Sequence, residues 1–252
     1  MKIISFHLRG KMAHFRKFYS NSSALSYFVP PRTTICGIVA GLLGLGRDKY
    51  YEVFSINHFH VAMNSEKPLK KTIQTLNYLM IKSPRDLNGS QEHHSQTPTE
   101  LIIPQDINLN FIDYKIFISH ENQDITEQLI NIFSNEGEFY KSMGACMSLG
   151  SAFNLGWIDS MEILEGETIE KKSENLISSA IPLDKIKRIN LESKGLDYKI
   201  IKEELPLEFN NNRQITSRGL KDIIINISGR GIYGEVDSFI KLENGQNILW
   251  LG

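Results

Sequence analysis

His14, Arg16, Lys17 and Tyr19 fall within six consecutive residues, and their types could do chemistry together. Metal-free RNA cleavage needs a general base, a general acid and a cation, which His, Tyr and Lys can supply. A loop that only grips phosphates has the same composition, so this cluster leaves cleavage and binding open. Other chemistries lack their signatures. His58 with His60, and His93 with His94, are the dense histidine groups, but no third and fourth ligand accompany them, so no metal is expected. Cys36 sits in an apolar run and reads as a small core residue. There is no G-x-S-x-G elbow and no Walker A loop. Gly41, Gly44 and Gly46 close a helix and do not open one, so they cannot aim amides at a phosphate. No cofactor is called for.

Two further glycine stretches let a backbone come close to another chain. One runs from Met143 to Ser151 with Gly144 and Gly150, the other from Ser228 to Gly234 with Gly229 and Gly231. Arg230 and Tyr233 in the second suit a phosphate and a stacked base. A plain hairpin loop between two strands is the alternative there.

The elements that must position these residues read as follows. Ile4, Phe6 and Leu8 alternate with Ser5, His7 and Arg9, so residues 2–9 form a strand with one apolar face and one face free to stay open. Gly10 to Val29 has no clear period and reads as a long ordered loop. Pro30 and Pro31 forbid helix before them, a threonine caps the next turn, and a helix is expected from Ile35 to Leu45 with Gly46 as its stop. The stripe Gly37, Gly41, Gly44 costs helix stability and implies close packing against a sheet or backbone. A second strand is expected over Ile56–Met63, a strand or hairpin arm over Lys67–Ile81, a polar loop over Ser83–Thr99 and a strand over Phe111–Ser119. Ile125, Leu129, Ile132 and Phe133 have helical spacing, which predicts a helix over 124–135 ending near Gly137. A fourth strand is expected within Met143–Trp157. Ile223–Ile227 reads as the hairpin partner of Val236–Leu242, and the turn Glu243, Asn244, Gly245 leads to a last strand, Asn247–Leu251. The order strand, helix, strand, excursion, strand, helix, strand is that of a ferredoxin-like, RRM-like α+β domain, placed at 1–140, followed by a smaller β-rich part at 141–252.

Composition bounds the partners. With 41% hydrophobic and 23% charged residues the chain is an ordinary globular protein. Two cysteines without a pairing pattern exclude a disulfide scaffold and fit a reducing compartment. No signal-peptide h-region follows Lys2, and the longest apolar run, Ile35–Leu45, has about half the ~20 residues a membrane span needs, so a cytoplasmic location with no membrane contact is expected. The net charge is −1, but residues 1–50 hold eight basic side chains and one acidic, leaving 20 basic and 28 acidic for the rest. Gathered positive charge, not the sum, decides phosphate affinity; a solvated basic face is the alternative.

Several segments together are similar to one family. Pro30, Pro31, Arg32, Thr33 and Thr34 lead into the small-residue helix Ile35–Gly46, Arg9–Arg16 follows the first strand, and Ser148, Leu149, Gly150, Ser151 forms an "LG" segment. In these the chain resembles CRISPR-associated protein family five, the RAMP-type Cascade subunit that caps the 5′ handle of the CRISPR guide RNA (crRNA), with length and basic N-terminal segment suiting type I-B. The resemblance implies a modified ferredoxin-like domain, a thumb between the second and third strands at about 64–110, and three kinds of neighbour: the Cascade backbone subunit, the large subunit and nearby target DNA. It implies an antiviral RNA-binding subunit that does not cut. One branch of the family, in type I-C systems, processes its guide with Tyr, Lys and His; this sequence lacks a Lys-His neighbour pair. Arg9, Lys11, Arg16, Lys17 and Arg32, with Thr33, would then meet the handle phosphates, and His14 and Tyr19 its bases. An endoribonuclease and a protein-only scaffold are the alternatives.

Overall fold

The protein is described from a computed structural model covering residues 1–20, 23–77, 84, 96–134, 147–192 and 197–252. Strand β1 (Lys2–Gly10) uses its apolar alternation as expected: Ile4, Phe6 and Leu8 enter the main core. The following segment is not a loop throughout. It folds back as a short hairpin, β2 (Phe15–Arg16) against β3 (Ser26–Tyr27).

Helix α1 spans Arg32–Leu42, three residues earlier at each end than the pattern suggests. Pro31 itself is the N-cap and no side chain caps the first turn, so neither threonine plays that part. Gly44, at φ 72°, ends the helix in place of Gly46. Leu45 N donates to Ala40 O and Gly44 N to Gly41 O, the paired closing bonds of a Schellman motif. The glycine stripe does not face the sheet. Ile35, Cys36, Val39, Ala40 and Leu42 form the buried side, while Gly37 sits half-buried with the Tyr50 hydroxyl 3.4 Å from where a Cβ would stand.

Strand β4 (Phe59–Ser65) starts later than expected, with His58 outside it. A long hairpin follows, β5 (Leu69–Asn77) paired in unbroken register with β6 (Gln96–Pro104). Most of the expected polar loop at Ser83–Thr99, including His93 and His94, lies outside the described residues. Strand β7 (Ile112–His120) is buried along most of its length, and α2 (Gln123–Ser134) lays Leu129 and Phe133 on the core, with Phe133 stacked on Phe6 at 5.3 Å. The expected helix stop at Gly137 lies outside the described residues, as do Met143–Cys146. The fourth strand begins only at Gly156, as β8 (Gly156–Ile169); residues 147–155 form turns and a single bridge, Ser148 to Leu155.

The C-terminal portion is a run of short strands: β9 (Ser173–Ile177), β10 (Ile181–Pro182), β11 (Ile186–Ile189), β12 (Ile200–Pro206), β13 (Leu220–Asn226), β14 (Ile232–Val236), β15 (Phe239–Leu242) and β16 (Asn247–Ile248). One six-stranded antiparallel sheet, in the order β16-β15-β8-β1-β7-β4, carries α1 and α2 on one face and forms an α+β fold. Two three-stranded sheets, β10-β13-β12 and β11-β14-β9, close the far side. The expected pairing of Ile223–Ile227 with Val236–Leu242 does not occur: β13 and β14 lie in different sheets. The chain between them is pinned elsewhere. Leu69 N donates to Ile227 O, and Gly229, at φ 80°, presses on the Glu66–Lys67 backbone. The β15–β16 hairpin across Glu243, Asn244 and Gly245 is present.

Candidate nucleic-acid interface

The β2–β3 hairpin is closed by a bond of its own and held on two sides. Its Phe15 N donates to Ser26 Oγ, Ala13 bridges Ile102 of the β5–β6 arm, and His14 N donates to Leu149 O. Gly150, at φ 92°, makes the last contact possible, because a Cβ there would stand 1.8 Å from His14 O. The close approach that this glycine permits is therefore to the protein's own backbone. The result is a groove of about 590 Å³ between the hairpin, the first turn of α1 and the 150–153 loop. His14, Arg16 and Thr33 line it, joined by Phe18, Thr34, Phe153 and Phe209.

The groove has donors and stacking surface with little opposing charge. Arg16 is exposed, donates to Ser20 O at 3.1 Å and makes no ion pair among the described residues. The first turn of α1, whose Thr33 and Thr34 line the groove, carries no acidic residue and no side-chain cap, so the positive end of the helix dipole is not offset by a carboxylate there, although Thr34 N and Ile35 N are taken by Pro31 O. His14 is buried, and burial holds its pKa below the ordinary histidine value. Its Nδ1 lies 2.7 Å from Glu100 O; a carbonyl only accepts, so Nδ1 carries the proton and Nε2 is an acceptor in the neutral ring. Phe18 is 46% exposed and Phe153 53%, placing aromatic faces at the rim.

The other expected site residues lie elsewhere or are already engaged. Arg32 cannot reach a phosphate. It is 1% exposed, and its guanidinium donates to the carbonyls of Leu207 (2.7 Å), Phe54 (2.9 Å), Ser55 (2.9 Å) and Phe59 (2.6 Å). It ties the start of α1 to the segments before β4 and after β12. Lys17 is paired with the buried Glu203 at 2.9 Å and lies over the rings of Tyr27 and Tyr19. Burial lowers the Lys17 pKa, but the bond and charge of Glu203, with Tyr19, outweigh it and raise the net value. Tyr19 is half exposed and meets Phe18 edge to face. Arg9, on the opposite face of the sheet, is clamped by Asp113 (2.8 Å) and by Asp159. Lys11 is exposed and donates to Asn110 O. Arg230 is exposed at the foot of the β5–β6 arm, and Tyr233 is half-buried in β14 opposite Leu176; neither lines the groove.

Sequence reading passed over Phe153, Pro206 and Phe209 as groove residues. Only Gly150 signalled the loop; Pro206 and Phe209 reach the groove through a sheet formed far along the chain. Cys36 is buried as expected, and burial raises its thiol pKa. His58 pairs with Glu121 at 2.8 Å and His60 stacks on Trp250, and among the described residues no cluster of three metal-ligating side chains occurs. No helix among them is long and apolar enough to cross a membrane.

No protein-family model matches the sequence, and no curated protein matches it significantly. Solved structures do. The chain aligns with the crystal structure of a CRISPR protein from Archaeoglobus fulgidus at a TM-score of 0.60 and 13% identity, over 98% of both chains. A chain of a CRISPR RNA-guided surveillance complex aligns more weakly, at a TM-score of 0.43 and 12% identity, over 92% of this chain and 90% of its own. End to end, the chain shares the fold of the Archaeoglobus CRISPR protein.

Proposed function

We propose that this chain is an RNA-binding, non-catalytic subunit of a type I CRISPR interference complex, acting in the cytoplasm in antiviral defence and holding the 5′ handle of the crRNA. The observation that carries the reading is the groove of His14, Arg16 and Thr33, with an uncapped helix N-terminus on one wall and Phe18 and Phe153 at its rim. An exposed Arg and the positive end of a helix suit phosphates, and aromatic faces suit unstacked bases. The end-to-end fold likeness supports it. So does the order β1, α1, β4, β7, α2, β8 with sheet order β8-β1-β7-β4, the arrangement a ferredoxin-like domain requires. The β5–β6 arm between the second and third core strands is the natural thumb, type I-B the subtype, and the backbone subunit, large subunit and target DNA the neighbours.

The test is crosslinking and cleavage of labelled CRISPR repeat RNA by the purified protein in chelator. Crosslinks at His14, Phe18 or Phe153 without a cut are expected. Arg16→Ala should lower the slope of log K against log salt by about one. A defined metal-independent cut would replace the reading with an endoribonuclease. Unprotected RNA with unchanged assembly would replace it with a scaffold.

A further inference from the structure

Beyond the groove, the exposed apolar residues Phe153 (53%), Leu155 (56%) and Trp157 (36%) lead from its rim onto the face of the main sheet opposite α1 and α2. There Arg9 and Trp157 sit in register on β1 and β8. Phe111 meets Trp157 edge to face, with centroids 5.8 Å apart. Lys67 Nζ lies 3.2 Å from the Phe111 centroid, and the Arg9 guanidinium 5.2 Å. Trp157 is 36% exposed and, among the described residues, belongs to none of the three buried clusters. A bulge places it: Ser160, at φ 51°, and Met161 together face the single residue Phe6. Asp159 is thereby brought opposite His7 and bonds Arg9.

We infer that Trp157, buttressed by Phe111 and Lys67, is a platform on which a base of single-stranded RNA leaving the groove stacks. The inference rests on the reading that the groove takes RNA. Charge on this face is close to balance: Asp113 and Asp159 clamp Arg9, and Glu162 faces Lys115 at 3.6 Å. That balance suits stacking on an aromatic face more than gripping a phosphate. Binding through Trp157 should therefore be nearly independent of salt, unlike binding through Arg16.

The chain has two tryptophans, so Trp250→Phe leaves Trp157 as the sole indole reporter. In that background, unlabelled oligouridylate RNA is titrated against tryptophan emission, and labelled oligouridylate against anisotropy. Emission should be quenched along the same isotherm. Trp157→Ala should weaken binding roughly five- to hundredfold with an unchanged salt slope, and Trp157→Phe should restore most of it. Unchanged emission across a clear anisotropy transition overturns the platform and leaves the groove standing. So does a Trp157→Ala variant with parental RNA affinity. A Trp157→Ala variant altered only in sedimentation assigns the face to a protein contact and also overturns it. No RNA binding by the parent overturns the groove and the platform together.

Discussion

Replacing Arg32 by Met should unfold this protein more readily and affect RNA only through that loss. Methionine keeps most of the side-chain volume, so the cost comes from the carbonyls that lose their donor. Four accept from the guanidinium: Leu207, Phe54, Ser55 and Phe59. Ser55 O also accepts from Phe59 N at 3.0 Å and His58 N at 3.2 Å, so it is not orphaned. Up to three carbonyls are then left without their charged donor, at about 1–3 kcal/mol each. Removing a buried charge returns part of that, because no carboxylate pairs with Arg32 among the described residues. A net loss of about 4 kcal/mol is a large share of the ~5–15 kcal/mol that holds a domain together. With a urea m-value of about 3 kcal/mol/M, the unfolding midpoint should fall by about 1.3 M. Arg32→Lys should recover part of the loss, since an ammonium keeps the charge but not the fork of donors. Circular dichroism in urea measures the midpoint, and RNA affinity is measured on the folded fraction. A parental midpoint combined with a clear loss of RNA affinity would refute the reasoning, because it would mean that Arg32 reaches RNA and not the carbonyls.

Gly150→Ala should lower the melting temperature by roughly 5–10 °C, since it combines a positive φ with a Cβ 1.8 Å from His14 O; a shift under about 1 °C in calorimetry would contradict that docking. Glu203→Ala removes the carboxylate that accepts Phe28 N and pairs with Lys17, and should cost about 3–5 kcal/mol in urea unfolding; a near-neutral result would mean that the pair is not closed in solution. Burial lowers the pKa of His14, His60 and His120 from 6.5, so the stability they contribute is present above pH 6.5 and is lost as pH falls through their folded values. His120 has the clearest cause, because its Nδ1 accepts from Asn122 N while Nε2 faces Val53 O, and a second ring proton breaks the first bond. The urea midpoint should fall as pH drops from about 7.5 to 5.5, and a flat profile would refute this.

Local pattern made much of the fold legible. The alternation Ile4, Phe6, Leu8 and the spacing of Ile125, Leu129 and Phe133 located β1 and α2, because each depends on which face meets a core. Pro31 and a nearby glycine bounded α1, though the stopping glycine is Gly44. Period and turn residues could not tell which strand pairs with which. Ile223–Ile227 and Val236–Leu242 look like a hairpin, yet contacts of Ile227 and Gly229 with the foot of the β5–β6 arm send them into separate sheets.

The site divides along the same line. Residue type and position marked His14, Arg16 and Thr33, which the hairpin and α1 bring to one groove. They could not show that Arg32, one residue from Thr33, turns inward. An arginine next to a proline step reads as exposed until distant carbonyls, at Leu207 and at Phe54–Phe59, converge on it. Lys17 and Arg9 likewise read as free cations until Glu203, Asp113 and Asp159 arrive from strands far along the chain. The sequence by itself determined the identity of the elements and the supply of charge near the N-terminus, because these follow from neighbouring residues. Only the tertiary structure decided which charges remain free, because a cation is neutralised by whatever the fold places beside it.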